Sequence, residues 1–247
     1  MKNKLLFSVI TLTLIILNST NCEGQSLEAK AWNTFEGKLG DKDFQLSVYL
    51  FANGTIKGNY VYRDSIFKIS LNGTRKANAL FLKEVNSPGE LKGNLFTDTL
   101  DKFEGIRTDS LKNLSQKFFL RLTSITWGDY NNRYSNVYGT TEEIENFMQK
   151  IKTAILTNDK DWIADHVHYP TRHVLDKGYT SINNKQELLQ YYDQVVNTKF
   201  KEKIRHDYTT NLFYKNGAVM LGNGEIWIIN TSNSTKDKFD FIIATIQ

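Results

Sequence analysis

Phe44-Gln45-Leu46-Ser47-Val48-Tyr49-Leu50, then Ala52-Asn53-Gly54-Thr55, then Ile56-Lys57-Gly58-Asn59-Tyr60-Val61-Tyr62 is the stretch on which the reading of the fold turns. Apolar and polar side chains alternate on both sides of a Gly-containing turn, the pattern of two antiparallel strands that each turn one face to a core. Outward from this hairpin the pattern continues through Ile66-Phe67-Lys68-Ile69-Ser70-Leu71, a turn expected at Asn72-Gly73, and Ala79-Leu80-Phe81-Leu82. Further strands are expected at Glu90–Phe96, Lys102–Thr108 and Gln116–Ile125. About eight strands at this spacing predict an all-β antiparallel meander over residues 34–126, closed as a barrel or folded as a sandwich. Phe35-Glu36-Gly37 returns as Phe103-Glu104-Gly105, read as equivalent corners where glycine admits a close neighbour.

Residues 127–139 hold turn residues, Trp127 and three tyrosines, and read as a linker packed on a domain surface. From Thr140 the period changes. Thr140 with Glu143 fits a capping box, and Ile144, Phe147, Met148, Ile151, Ala154 and Ile155 form one helical stripe. A short helix from Asp159, a hairpin over Thr171–Leu175 and Tyr179–Ile182, and a helix from Asn184 capped with Glu187 follow. Three long strands are then expected at Phe200–Tyr208, Ala218–Ile229 and Phe239–Ile246.

This order resembles the nuclear transport factor 2-like superfamily across residues 140–247. The resemblance is carried by Asn158-Asp159-Lys160-Asp161-Trp162, Tyr169-Pro170, Asn183-Asn184-Lys185-Gln186-Glu187-Leu188 and Gly222-Asn223-Gly224-Glu225-Ile226-Trp227. It implies an α+β cone, a curved antiparallel sheet wrapped on helices, in a superfamily of isomerases, dehydratases, ligand binders and interaction modules. Fold alone does not choose among these. The β-rich half resembles modules of bacterial envelope lipoproteins.

The first 21 residues read as an export signal, Met-Lys-Asn-Lys followed by an apolar run ending at Leu17, too short for the roughly 20 residues of a bilayer-spanning helix. Cys22, the only cysteine, follows it and is the expected lipidation site, although Asn21 stands where lipoproteins usually carry a small residue. Residues 22–33 would form a leader in an exported envelope protein, periplasmic or anchored to the outer membrane, that touches membrane through a lipid anchor only. Lys2 and Lys4 are the only charges in the signal, so the net charge falls from +4 to +2 on its removal. Residues 22–139 carry 16 Lys and Arg against 13 acids and residues 140–247 carry 13 against 14, not the basic excess of a nucleic-acid binder.

His166-Val167-His168-Tyr169-Pro170-Thr171-Arg172-His173 holds three of the four histidines. A helix end, a pre-proline segment and a strand place them in three local geometries, so a structural corner is expected and no metal, which needs three or four convergent ligands. No cofactor loop or nucleophile motif is present. If Phe200–Tyr208 is a strand, Lys199, Lys201, Lys203 and Arg205 share a solvated face and Glu202, His206 and Tyr208 an inner one. Glu202 and His206 would then lie about 13 Å apart, beyond bonding reach. With Asn223, Glu225 and Trp227 from the next strand they would line one ligand pocket; the plainer reading has Glu225 bonding backbone or Arg172. The expected function is non-catalytic binding of a small ligand, an envelope component or a protein partner, possible classes including inhibitor and immunity proteins. The alternative is a cone-fold isomerase or dehydratase using His206 with a carboxylate, Glu225 being the candidate.

Overall fold

The computed structural model of the chain describes residues 27–63, 65–96, 101–175, 178–231 and 240–247, so the export segment and Cys22 lie outside the described residues. Eight strands run in chain order: β1 (Trp32–Leu39), β2 (Lys42–Leu50), β3 (Thr55–Tyr62), β4 (Ile69–Lys76), β5 (Ala79–Glu84), β6 (Gly89–Phe96), β7 (Lys102–Asp109) and β8 (Leu114–Thr126). Each pairs antiparallel with the next and β8 pairs with β1, so the meander is a closed barrel rather than a sandwich. Closure leaves no edge for another chain to extend. Inward positions of successive strands, Phe35, Phe44, Leu46, Tyr60, Leu82, Phe103, Phe118 and Leu120 among them, fill the interior.

The two Phe-Glu-Gly corners do correspond. Phe35 and Phe103 meet ring to ring at 6.0 Å, and a Cβ on Gly37 or Gly105 would stand 2.0 Å from the carbonyl oxygen of Phe119 or Lys92. Asn72-Gly73 is not a turn. Both residues lie inside β4, opposite Lys83 and Leu82, and the chain reverses at Ala77-Asn78 with Ala77 at φ 52°. Gly73 answers a close approach instead, since a Cβ there would stand 2.1 Å from the Phe81 carbonyl oxygen. Ile66 to Lys68, expected in the strand, belong to the loop before it.

The C-terminal region holds helices α1 (Thr141–Thr157), α2 (Lys160–Asp165), α3 (Lys185–Val195) and α4 (Thr198–His206), with hairpin β9 (Thr171–Leu175) and β10 (Gly178–Ile182) between α2 and α3. A four-stranded antiparallel sheet follows, β11 (Phe213–Lys215), β12 (Ala218–Leu221), β13 (Ile226–Asn230) and β14 (Phe241–Ile246). Both expected caps form: Thr140 and Glu143 bond reciprocally, and the Asn184 side chain accepts from Glu187 N. Ile144, Met148, Ile151, Ile163, Leu188 and Tyr192 from the helices pack against Val219, Leu221, Ile228 and Ile243 of the sheet.

Two strand expectations are corrected here, and the third is met from Phe241 onward. Phe200–Tyr208 is not a strand, because residues 198–206 form α4; Asn197 Oδ1 caps it by accepting from Phe200 N at 3.0 Å, and Phe200 and Ile204 bury one helical face. Ala218–Ile229 is not one strand but β12, a turn and β13, the turn passing through Gly222 at φ 70° and Gly224 at φ 107°. The last strand begins at Phe241, and Phe239 lies outside the described residues.

Segment 127–139 is packed, as its aromatics suggest. Tyr130 stacks on Trp32 at 5.9 Å, and Arg133 is 2 % exposed between barrel and sheet. Its guanidinium donates to Ser47 Oγ and Thr34 Oγ1 on the barrel, both at 2.8 Å, and to the carbonyl oxygens of Leu212 at 3.0 Å and Asn211 at 2.9 Å beside β11. The outward side chains of β2 are buried for this reason: the C-terminal region covers them.

Candidate functional site

The sequence-selected residues divide among several environments. Glu202 and His206 lie four apart on α4, where one helical turn joins Glu202 Oε1 and His206 Nε2 at 2.9 Å; the pair is about 60 % and 56 % exposed and lines none of the cavities described below. The expected 13 Å separation therefore fails with the strand that implied it. Glu225 closes the β12–β13 turn, accepting from Asn223 N at 2.6 Å and Lys203 Nζ at 2.7 Å, not from Arg172. Burial pushes its carboxyl up, but the Lys203 ammonium and the Asn223 N–H outweigh it and hold the group below its ordinary value. Gly222 is required beside it, since a Cβ there would stand 2.4 Å from Glu225 Oε2 at a backbone φ of 70°. Trp227 projects from β13 toward Phe213, 6.3 Å ring to ring.

Tyr208 and Asn223 border a small cavity between the barrel and the C-terminal region, of about 120 Å³. Glu36, Gln45, Asp207 and Thr210 also line it. Gln45 Oε1, Asp207 Oδ2 and Thr210 Oγ1 are buried without a hydrogen-bond partner among the described residues. Arg63 meets Tyr208 face-on, its guanidinium carbon 5.3 Å from the ring centroid. The cavity has the size of roughly four water molecules and the polarity to hold them.

Burial, with the Glu225 charge adding to it, pushes Asp207 up to about 6. The native state then keeps a proton that the unfolded chain releases near 4, so this group lowers stability as pH rises from about 4 to about 6. Asp207→Asn should remove that slope and leave the protein at least as stable as wild type at pH 7.5. Urea midpoints of both proteins across pH 4–8 check this; a variant clearly less stable at pH 7.5, with the deficit vanishing at pH 4, would mean that Asp207 is a needed anion.

An opening in the C-terminal region that combines charge with an apolar floor has a volume of about 490 Å³, within the range of small-ligand sites. β9, the end of α3, the first turn of α4 and the end of β14 enclose it. Val195, Phe200 and Ile246, all buried, form its apolar part. Arg172, Lys199 and Lys203 supply positive charge, and among the described residues no Asp or Glu side chain lines it. Lys203 is held by Glu225, whereas the Arg172 and Lys199 side chains make no hydrogen bond or ion pair among the described residues. The positive end of the α4 dipole adds to this field. His173 is buried at the wall, 3.3 Å from Thr171 Oγ1, and burial lowers its pKa, so it stays neutral at neutral pH.

Arg172, Lys199 and Phe200 were not singled out in the sequence as a site. The signal for them was the Asn197 cap, which turns the lysine alternation of residues 199–205 into a helix. The histidine segment does occupy three settings. His166 caps α2 and stacks on Trp162 at 3.9 Å, His168 N donates to Ile243 O at 2.8 Å, and His173 lines the pocket. Among the described residues no group of three or more His, Cys, Asp or Glu is placed to hold a metal ion. Compared with known proteins, the chain matches no family model, no curated protein and no solved structure.

Proposed function

We propose that the protein is a non-catalytic binding protein of a bacterial cell envelope, exported and anchored through Cys22, whose C-terminal pocket takes a small molecule bearing a carboxylate or phosphate. The observation that carries the reading is the pairing of two unengaged cations, Arg172 and Lys199, with an apolar floor of Val195, Phe200 and Ile246 in one cavity. An anion placed there gains charge-assisted hydrogen bonds, while its body covers the floor. The isomerase alternative is less well supported, because His206 stands on the exposed face of α4 bonded to Glu202, while Glu225, the candidate carboxylate, is held by Lys203 and Asn223 N. Kinship of residues 140–247 with the nuclear transport factor 2-like superfamily belongs to the same proposal. It is supported by the order α1, α2, hairpin, α3 and by the parallel bridge from Val167, just before β9, to Ile243 of β14; α4 departs from it by standing where the first long strand would run.

Calorimetric titration of the full chain with citrate, a hexose phosphate and a uronic acid tests the pocket. At least one should bind, and Arg172→Glu or Lys199→Glu should weaken it tenfold or more, about 1.4 kcal/mol. Both side chains are exposed, so stability should stay within about 0.5 kcal/mol of wild type. Absence of binding up to millimolar concentrations, or binding indifferent to both substitutions, would end the proposal.

A further inference from the structure

In an up-and-down barrel alternate hairpin loops gather at one end. Segments 40–41, 65–68, 85–88 and 110–113 therefore share one mouth, distant in sequence from the C-terminal pocket. A cavity of about 560 Å³ opens there. Its floor is a buried polar cluster: Tyr60 Oη donates to Glu84 Oε1 at 2.7 Å, and Arg107 donates to the same oxygen from Nε and Nη2, both at 2.8 Å. Arg107 Nη1 makes no hydrogen bond among the described residues.

Charge and apolar surface are segregated around this floor. Lys42, Lys68, Arg107 and Lys112 line the cavity; against Glu84 in the lining and Glu145 and Asp109 beside it, the balance among the described residues is 4 − 3 = +1. Lys68 is engaged by Glu145, and Asp109 stands 3.9 Å from Lys112 and 3.8 Å from Arg107. Lys42 has no carboxylate partner among the described residues and sits 5.4 Å from the centre of the Tyr62 ring. At the rim, Phe67 is 81 % and Leu111 84 % exposed, the two most exposed large apolar side chains among the described residues, with Ile66 and Val85 half-exposed beside them. Such side chains at loop tips are costly to leave in water. Cations in the hollow and apolar tips at the edge complement a molecule whose anionic group and hydrocarbon are joined, as in an anionic phospholipid.

We propose that the mouth of the barrel binds an anionic phospholipid, the phosphate resting on Lys42, Lys112 and the free edge of Arg107, and the acyl chains lying against Phe67 and Leu111. The interior below is filled by Tyr60, Leu82 and Phe103, so the lipid is held at the mouth and not inside the barrel. This site is independent of the C-terminal pocket.

The test is calorimetry on the full chain with dihexanoyl phosphatidylglycerol below its micelle-forming concentration, against dihexanoyl phosphatidylcholine and glycerol 3-phosphate. Phosphatidylglycerol should bind at least tenfold more tightly than either comparison ligand. Lys42→Glu with Lys112→Glu should weaken it at least tenfold. Phe67→Ser with Leu111→Ser should weaken the lipid similarly while leaving glycerol 3-phosphate unchanged, and Arg172→Glu in the other pocket should change nothing. All four replaced mouth residues project from loops or strand starts, and thermal unfolding of each double variant confirms that the fold persists. No binding of phosphatidylglycerol, equal binding of phosphatidylcholine, glycerol 3-phosphate binding as tight as the lipid, or full affinity in the Lys42/Lys112 double variant would each overturn the proposal.

Discussion

Arg133→Met should destabilise the protein by about 2–5 kcal/mol, from roughly 1–3 kcal/mol for each of two buried carbonyl oxygens left without a donor. Four acceptors, Ser47 Oγ, Thr34 Oγ1, Leu212 O and Asn211 O, lose their donor at once. The two hydroxyls can still bond each other at 3.0 Å, but the two carbonyl oxygens are left facing an apolar side chain. Arg133→Lys should recover little, because one ammonium cannot reach in four directions as a planar guanidinium does. Burial lowers the arginine's pKa, opposed by the charge of Glu145.

Because those bonds join barrel to C-terminal region, the loss should also separate their unfolding. Urea denaturation followed by amide hydrogen exchange in β1 to β8 and by helical circular dichroism should coincide in wild type and split in Arg133→Met. Coincident curves at the wild-type midpoint would show that Arg133 is a passenger. The Asn211–Asn59 bond at 2.8 Å and the Lys68–Glu145 ion pair would then have to carry the junction.

The barrel was legible because its determinants are local. Period-two alternation and turn residues name the strands wherever one face is buried, and β2 to β8 follow that pattern in all but their ends. Asn72-Gly73 misled because glycine serves both turns and close packing, and only the partner strand, bringing Phe81 O to Gly73, distinguishes the two. The α4 segment misled for a related reason. Lysines at 199, 201 and 203 satisfy period two, yet Phe200 and Ile204 also satisfy a helical spacing, and lysine, glutamate and arginine favour helix over strand. Asn197 settles that competition through one hydrogen bond to Phe200 N.

The sites were less legible because each is assembled from distant segments. Arg172 meets Lys199 and Ile246 only after β9, α4 and β14 have docked, and no spacing along the chain encodes that meeting. Arg133 reads as one more polar linker residue until Thr34 and Ser47, 99 and 86 positions away, turn out to be its partners. Glu225 shows the intermediate case. Its apolar neighbours announced a carboxylate needing a partner, and the partner proved to be Lys203, on the helix that had been read as a strand.

Arg107→Met should be the most pH-sensitive of the substitutions considered. In wild type, burial pushes the Glu84 carboxyl up, but hydrogen bonds from Arg107 and Tyr60 more than compensate and hold it below its ordinary value. A depressed carboxylate stabilises the fold at pH above its unfolded value near 4.5, and that contribution is lost as pH falls through the folded value. Removing the guanidinium leaves Glu84, 2 % exposed at its side chain, with only the neutral donors Tyr60 and Ser87. Burial then dominates and the sign reverses: the carboxyl takes up a proton on folding, so stability falls as pH rises through its raised value. At pH 7.5 the expected loss is about 3–5 kcal/mol, the cost of leaving one member of a buried pair charged and alone. At pH 4, where the carboxyl is protonated in both states, most of that loss should disappear. Arg107→Met with Glu84→Gln should regain much of the stability at pH 7.5, since the amide keeps a hydrogen bond to Tyr60 and carries no charge. Chemical denaturation of wild type, single and double variants at the two pH values provides the check. A single variant equally destabilised at both, or a double variant no more stable than the single, would show that Arg107 supports the barrel through packing of its side chain and not through the Glu84 charge.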